Sequence, residues 1–150
     1  MLELDIIPEE LRRQALEVGQ VLRMDMDEKD GVVPKPGKTS KLKRFVIIGR
    51  YGDALVAALL INSDINEKKY MQIGPYQHKI FQSDYDFLDH DSYIDGFLLR
   101  EFSRGRVLEK AEYLGRINER DLLEGIERVS QSPKTKPYLL KKYRLCDEKK

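Results

Sequence analysis

The clearest hydrophobic pattern in the chain covers residues 45–61, FVIIGRYGDALVAALLI, with Arg44 directly before it. Two apolar runs, rich in β-branched residues at the start, flank the polar turn Arg50-Tyr51-Gly52-Asp53. Short apolar runs bounded by turn residues are typical of buried strands. The stretch therefore predicts a central hairpin in a small β-rich domain.

Other segments predict further strands around this hairpin. Residues 20–26, QVLRMDM, alternate polar and apolar positions, which predicts the first strand. Gly96 lies inside an apolar run and indicates a bulge or a close approach of two backbones. Segments without periodicity predict loops at 27–42 and 62–74. The remaining predictions are strands at 76–82, 91–99 and within 107–117, with a turn at Arg104-Gly105-Arg106.

Two helices are predicted at the ends of the chain. Pro8-Glu9-Glu10 suits a first helical turn, and that helix is expected to stop near Gly19. Asn118, with Asp121 three residues later, predicts the cap of a second helix at about 118–131. One apolar face of this helix is expected to carry Leu122, Leu123, Ile126 and Val129.

A basic tail follows at 134–150. Its lysines alternate with the apolar residues Tyr138, Leu139, Leu140, Tyr143 and Leu145. This mixture predicts that the tail docks on the body of the protein or on a partner.

Composition narrows the class of protein. With 150 residues, 41% of them hydrophobic and 35% charged, the chain predicts one globular domain. The net charge of +1 predicts no polyanion partner, so any nucleic-acid affinity needs local clustering. Cys146 is the only cysteine, which excludes an intrachain disulfide and a cysteine-cluster metal site. The absence of an apolar span and of a signal-peptide pattern leads to the expectation of a cytoplasmic protein without membrane contact.

Candidate chemistry is concentrated at a few positions. Lysines 35, 38, 41 and 43 make the second half of the 27–42 region basic, which fits either a solvated loop or a mobile arm for phosphates. Asp95 lies in an otherwise apolar strand, where an acid needs a partner or a raised pKa. His78 and His90 lack metal-ligand spacing, so no metal site and no cofactor are predicted. Tyr51, Tyr76 and Tyr85 fit base stacking or, as the preferred interpretation, ordinary core and surface positions.

Five short stretches follow one another in the order of a known family. They are Gly19-Gln20-Val21, Arg44-Phe45-Val46-Ile47-Ile48, Leu55-Val56-Ala57-Ala58-Leu59, Asp91-Ser92-Tyr93-Ile94 and Tyr113-Leu114-Gly115-Arg116-Ile117. Together they make residues 19–133 resemble the MazF/PemK/Kid family of toxin endoribonucleases. The resemblance implies an SH3-like barrel at about 19–117 with a C-terminal helix, and thus a mainly β (α+β) fold.

The resemblance also implies a chemistry and partners. Family members cleave single-stranded RNA without a metal, form homodimers and are bound by an antitoxin. Arg44 and Arg100 correspond to arginines of the family. The family's hydroxyl position is occupied by Leu60, and Ser63 is the nearest hydroxyl. Asp95 lies two residues before the acid found in one branch, on the same face of a strand.

The sequence leaves two hypotheses about function open. The first is a MazF/PemK-like protein that binds single-stranded RNA and cleaves it through Arg44, Arg100, Asp95 and Ser63, with Lys35, Lys38, Lys41 and Lys43 guiding the backbone. The second is a catalytically inactive SH3-like barrel that binds protein or nucleic acid. An enzyme needs its arginines and its acid in one pocket, whereas a binding module does not.

Overall fold

The computed structural model describes residues 16–145. Within this range, seven strands form one antiparallel sheet in the order β4-β5-β3-β2-β1-β7, and β6 pairs with β3. The mainly β, mixed α+β class is therefore confirmed. The strands are β1 Gln20–Met26, β2 Lys41–Tyr51, β3 Leu55–Asn62, β4 Gln77–Ile80, β5 Ser92–Asp95, β6 Arg100–Ser103 and β7 Glu112–Arg116.

Helices occupy the connections and the C-terminal region. The predicted helix from Pro8 falls almost wholly outside the described residues. No helix within 16–145 has the length and apolar character needed to cross a bilayer. The helices are α1 Tyr70–Ile73, α2 Arg104–Lys110, α3 Glu119–Gln131 and α4 Pro137–Lys142.

The predicted central hairpin is confirmed as β2 and β3. Arg44 lies opposite Ile61, and the register shifts between Ile47 and Gly49. Side chains alternate between the two faces of a strand, so Phe45 and Val46 enter different hydrophobic clusters. Both faces of the hairpin are thus buried, which explains its continuous apolar runs. One cluster contains Val46, Leu59, Ile94 and Val129, and the other contains Leu22, Phe45, Phe102 and Val107.

The predicted turn at residues 104–106 is wrong, because α2 begins there. The side chain of Ser103 accepts a hydrogen bond from the backbone N–H of Arg106 and so caps this helix. Val107, on the first turns of α2, is fully buried against the second cluster. As a result, the last strand begins only at Glu112 instead of extending through residues 107–111.

The single strand predicted at residues 91–99 is also wrong, since the chain turns at Gly96. A Cβ atom on Gly96 would lie 2.7 Å from the carbonyl oxygen of Tyr76 and 2.8 Å from Cβ of Arg128. The expected close backbone approach is thereby confirmed. The predicted strand therefore ends at Asp95 as β5, which pairs with the end of β3. The next strand, β6, begins only at Arg100 and pairs with the beginning of β3.

The two predicted loops are shorter than expected. β2 begins at Lys41, so Lys41 and Lys43 are strand residues. Helical turns cover most of the second loop, where the side chain of Asn66 accepts from the backbone N–H of Lys68 and starts the first turn. Outside the named helices, such 3₁₀ turns lie at Glu28–Asp30, Glu67–Lys69, Gly74–Tyr76 and Gln82–Asp84.

The C-terminal predictions hold with one exception. Asn118 caps α3 by accepting from the N–H of Asp121 at 2.8 Å. Leu123, expected on the apolar face, is 54% exposed, because the buried stripe of α3 runs through its neighbours. Docking of the tail on the body is confirmed: Tyr143 and Leu145 are buried, and the Tyr143 hydroxyl donates to Glu101 at 2.6 Å.

Candidate nucleic-acid interface

Two depressions adjoin where β2 begins and β3 ends. Their volumes are about 270 and about 150 Å³. Lys41, Lys43 and Ser63 line both of them. Asp95 lines the larger depression and Arg44 the smaller one. We call the joined depressions the hairpin cleft, defined by Lys41, Lys43, Arg44, Ser63 and Asp95.

Lys43 lies in the shared wall of the hairpin cleft. It is half-buried, and its ammonium donates a hydrogen bond to the side-chain oxygen of Asn62. Burial is the main cause that lowers the pKa of Lys43 to about 8, and the positive charges of Lys41 and Arg100 lower it further. Asp95 opposes this shift. The ammonium is therefore held in surroundings that disfavour its charge.

Asp95 is oriented by two hydrogen bonds to the same oxygen. Oδ1 accepts from Nε2 of Gln77 and from the backbone N–H of Phe97, each at 2.9 Å. The expected partner for this half-buried acid is thus a neighbouring amide together with the turn after β5. These contacts fix the carboxylate at the edge of the larger depression.

Arg44 lines the smaller depression and forms few contacts with other residues in the part of the chain that the structure describes. Its Nη2 lies 3.3 Å from Oδ2 of Asp89, whose side chain is 79% exposed. Among the described residues, the buried Nε of Arg44 has no hydrogen-bond partner. A guanidinium carries five N–H donors, and within residues 16–145 the contact with Asp89 involves only Nη2.

Arg100 differs from Arg44, because backbone carbonyls occupy its guanidinium. Nε donates to the carbonyl oxygen of Asp30 at 2.8 Å, and the two terminal nitrogens lie 3.3 and 3.4 Å from those of Leu98 and Gly31. Burial is the main cause that lowers the pKa of Arg100, whereas Asp95 and Asp30 raise it. Arg100 thus joins the segment after β1 to the start of β6.

The two arginines lie on opposite faces of the sheet. Side chains two residues apart on a strand point to the same face, so Arg44 shares a face with Val46 of the first cluster. Arg100 shares a face with Phe102 of the second cluster. Arg100 does not line either depression of the cleft, although its charge acts on Lys43. Asp95 follows Ile94 of the first cluster and therefore lies on the same face as Arg100. The structure thus places Asp95 in the larger depression, Arg44 in the smaller one on the opposite face, and Arg100 in neither.

The predicted basic segment is divided in a similar way. Lys41 and Lys43 line the hairpin cleft. Lys38 lines a separate depression together with Asp27 and Glu28, and Lys35 is exposed. The four lysines therefore do not form one continuous surface.

The sequence did not predict a buried hydrogen-bond network around Asp121. Asp121 is 2% exposed, accepts a hydrogen bond from the Tyr85 hydroxyl at 2.5 Å and lies 2.8 Å from Nε2 of His78. The Tyr85 hydroxyl in turn accepts from the backbone N–H of Asn118 at 3.1 Å. We call these four residues the carboxylate network. Its members are far apart in the chain, so the only signal was Asp121 near a helix cap, which suggested a capping box instead.

Within residues 16–145, no group of three or more histidine, cysteine, aspartate or glutamate residues is arranged to hold a metal ion. The side chains that line the hairpin cleft include lysine and arginine cations, a hydroxyl and a carboxylate. Such a set binds phosphates and supports proton transfer.

Comparison with known proteins defines the fold class. No protein-family model matches the sequence, and a sequence search of curated proteins finds no match. Among solved structures, a chain from the crystal structure of MazE-MazF (Form-III) from Deinococcus radiodurans matches with a TM-score of 0.51 and 12% sequence identity. The match covers 77% of this chain and 92% of that one. The chain therefore has a MazF-like fold.

Proposed function

We propose that the protein binds single-stranded RNA in the hairpin cleft and cleaves it as a metal-independent endoribonuclease. The observation that carries this proposal is the presence of Lys41, Lys43, Ser63 and Asp95 in one depression, with Arg44 in the adjoining one, on a MazF-like fold. Cations attract the RNA backbone, and the hydroxyl and carboxylate supply polar groups at the reacting phosphate.

The reaction that suits these groups is attack of a ribose 2′ oxygen on the adjacent phosphorus. Asp95 accepts the 2′-hydroxyl proton as a P–O2′ bond forms and the P–O5′ bond breaks. Arg44 places its unused donors on the non-bridging phosphate oxygens, where negative charge increases in the transition state. Ser63 donates a hydrogen bond to a non-bridging oxygen of the same phosphate, and the departing 5′ oxygen takes up a proton. The products are a 2′,3′-cyclic phosphate and a 5′-hydroxyl end.

Arg100 and the outlying lysines have supporting roles in this proposal. Arg100 holds the segment after β1 in place and adds positive potential near Lys43. Lys35 and Lys38 attract RNA from a distance, since exposed lysines bind phosphates without a sequence requirement.

The test is cleavage of a long single-stranded RNA by the purified full-length protein with EDTA present. We expect 2′,3′-cyclic phosphate ends, and a loss of at least about 100-fold in the rate for Arg44→Ala and for Asp95→Asn. Arg120→Ala is the matched control, because Arg120 is exposed on α3. Intact RNA at protein concentrations that shift it in a gel would contradict the nuclease and favour a binding module.

The same proposal includes a homodimer and an antitoxin partner. Its support is the fold shared with a structure whose name gives both MazE and MazF. Light scattering coupled to size-exclusion chromatography tests the dimer, for which we expect about twice the mass of 17.6 kDa. A monomeric mass at micromolar concentration would remove this part of the proposal.

The non-catalytic binding module is the second candidate. Two observations favour it: the guanidinium of Arg100 donates its hydrogen bonds to backbone carbonyls, and Arg100 lies on the face of the sheet opposite Arg44. A groove of about 720 Å³ between the β2–β3 turn and the C-terminal helices also exposes Tyr51 and Leu123, which suits a protein partner. Under this candidate, Leu123→Glu weakens partner binding and leaves RNA binding unchanged.

A further inference from the structure

Lys43 has a central place in the hairpin cleft. It lines both depressions, with Asp95 on one side and Arg44 on the other. Lys43, two residues before Phe45, lies on the same face of the sheet as Asp95, so a phosphodiester that presents its ribose to Asp95 in the larger depression also lies against Lys43. No role beyond attraction of the RNA backbone follows for Lys43 from its charge alone.

The contacts of Lys43 leave donors free for such a ligand. An ammonium group has three N–H donors, and among the described residues the partner of Lys43 is the neutral amide oxygen of Asn62. Lys41 and Arg100 are the cations that act on Lys43, and Asp95 is the anion. A lysine in a surface ion pair would instead have a carboxylate in direct contact.

We propose that Lys43 is the general acid that protonates the departing 5′ oxygen when the RNA backbone is cut, an inference that rests on the proposed ribonuclease function. Asp95 takes the 2′-hydroxyl proton while Nζ of Lys43 gives one proton to O5′ as the P–O5′ bond breaks. The 5′ oxygen leaves as a neutral hydroxyl, and Lys43 is left as a neutral amine. Exchange of protons with water returns Asp95 to the carboxylate and Lys43 to the ammonium.

The electrostatics of the cleft suit this role. A proton donor is most effective when its pKa lies near the working pH, and burial together with neighbouring cations brings the pKa of Lys43 to about 8. An exposed lysine near 10.5 holds its proton more tightly. The desolvated position in the wall of the cleft, beside Asn62, thus makes Lys43 a better proton donor than Lys41, which is exposed.

Lys43→Arg tests the role without removing the positive charge. A guanidinium binds phosphate but does not release its proton. On single-stranded RNA, we expect the variant to keep its affinity within about threefold and to lose at least about 100-fold in cleavage rate. Lys110→Arg, a change at an exposed lysine on α2, is the matched control and is expected to cleave at the wild-type rate.

A substrate with sulfur in place of the bridging 5′ oxygen separates proton donation from other effects. A thiolate leaves without a proton, because thiols have a pKa near 8.5. We expect Lys43→Arg to cleave this substrate within about tenfold of the wild-type rate. The wild-type rate on ordinary RNA should fall above about pH 8, and the rate on the sulfur substrate should not.

Each result decides between the two proposals. Wild-type cleavage with an equal rate in Lys43→Arg would overturn the role of Lys43 and leave the nuclease standing, as would a Lys43→Arg defect that the sulfur substrate does not relieve. No cleavage of either substrate by the wild type would overturn both proposals. Thermal unfolding of Lys43→Arg at the wild-type temperature excludes misfolding as the cause of a loss.

Discussion

The hairpin cleft and the carboxylate network are both polar clusters inside a mainly apolar fold, but their charges are balanced differently. In the network, Asp121 is buried and each of its oxygens has a partner, the Tyr85 hydroxyl or the His78 ring. In the cleft, Lys43 is half-buried next to other cations, and its direct partner is the neutral side chain of Asn62. In the first cluster both carboxylate oxygens have protein partners. In the second cluster no carboxylate among the described residues is in direct contact with the Lys43 ammonium, which suits the binding of an anion.

This difference separates stability from binding. A buried polar group with all its hydrogen bonds made fixes the elements that carry it, here β4, α3 and the segment before β5. Burial, followed by the hydrogen bond to Asp121, also raises the pKa of Tyr85, so the hydroxyl remains a donor. A cation held without a carboxylate in contact lowers stability and keeps its donors for a ligand. Substitution of Asp121 and substitution of Lys43 should therefore change stability in opposite directions.

The largest effect is expected for Asp121→Ala. The substitution leaves the Tyr85 hydroxyl and the His78 ring buried without their partner, which we expect to lower the free energy of unfolding by about 3–5 kcal/mol. Urea denaturation followed by circular dichroism measures the change. Glu127→Ala, at an exposed position of α3, is the control and should change stability by less than about 0.5 kcal/mol. A loss below about 1 kcal/mol for Asp121→Ala would show that the hydrogen bonds of the carboxylate network contribute little to stability.

The opposite sign is expected for Lys43→Met. The pKa of Lys43 is about 8 in the folded protein against its usual 10.5. The folded state therefore binds fewer protons than the unfolded state between these values, and stability due to Lys43 rises as pH increases through this window. Below pH 8 the ammonium of Lys43 is charged in the folded protein, and its partial burial lowers the free energy of unfolding by the largest amount. Lys43→Met should therefore be more stable by about 2 kcal/mol, after allowance for the lost hydrogen bond to Asn62.

The pH dependence supplies the control for this prediction. The stability difference between Lys43→Met and the wild type should be greatest below pH 8 and should shrink toward pH 10.5. Other groups titrate equally in both proteins and cancel in the difference. A difference that stays constant across this range would mean that the charge of Lys43 is not its source.

Much of the fold was predictable because local patterns determined it. β1 and the central hairpin follow directly from alternation and from apolar runs, and Asn118 marked the start of α3. The helix α2 was not predictable in this way, because Val107 fits a strand as well as a helix until its burial against the second cluster is known. Tertiary contact, not propensity, decided that segment.

The candidate site was predictable by residue type but not by arrangement. Asp95 stood out as an acid in an apolar strand, the lysines stood out as a basic segment, and Ser63 followed from the family resemblance. Only the pairing of β2 with β3, however, places Lys43 beside Asn62. The positions of the arginines on opposite faces required the register of β6 on β3. The carboxylate network joins residues of β4 and α3, and no short-range pattern links them.

A smaller loss is expected for Arg100→Ala. Arg100 donates to the carbonyl oxygen of Asp30 at 2.8 Å and contacts two further carbonyls. Removing these bonds from a buried side chain should lower the free energy of unfolding by about 2 kcal/mol. Hydrogen exchange should also increase at the backbone of Asp30 and Gly31. An unchanged stability would place Arg100 with the ligand-binding groups rather than with the framework.

The smallest change in stability is expected for Arg44→Ala. Nη2 of Arg44 lies 3.3 Å from Oδ2 of Asp89, whose side chain is 79% exposed, and surface pairs of this kind contribute less than about 1 kcal/mol. The buried Nε has no hydrogen-bond partner among the described residues, so its removal costs no bond there. We therefore expect urea denaturation to show a loss under about 1 kcal/mol, together with a strong loss of RNA affinity in a gel-shift titration.

Asp89→Ala is the matched control, because it removes the pair and keeps the guanidinium in the hairpin cleft. It should match Arg44→Ala in stability and bind RNA at least as well as the wild type. Equal losses of RNA affinity in both variants would assign Arg44 to the framework and leave Lys41 and Lys43 as the cations of the cleft.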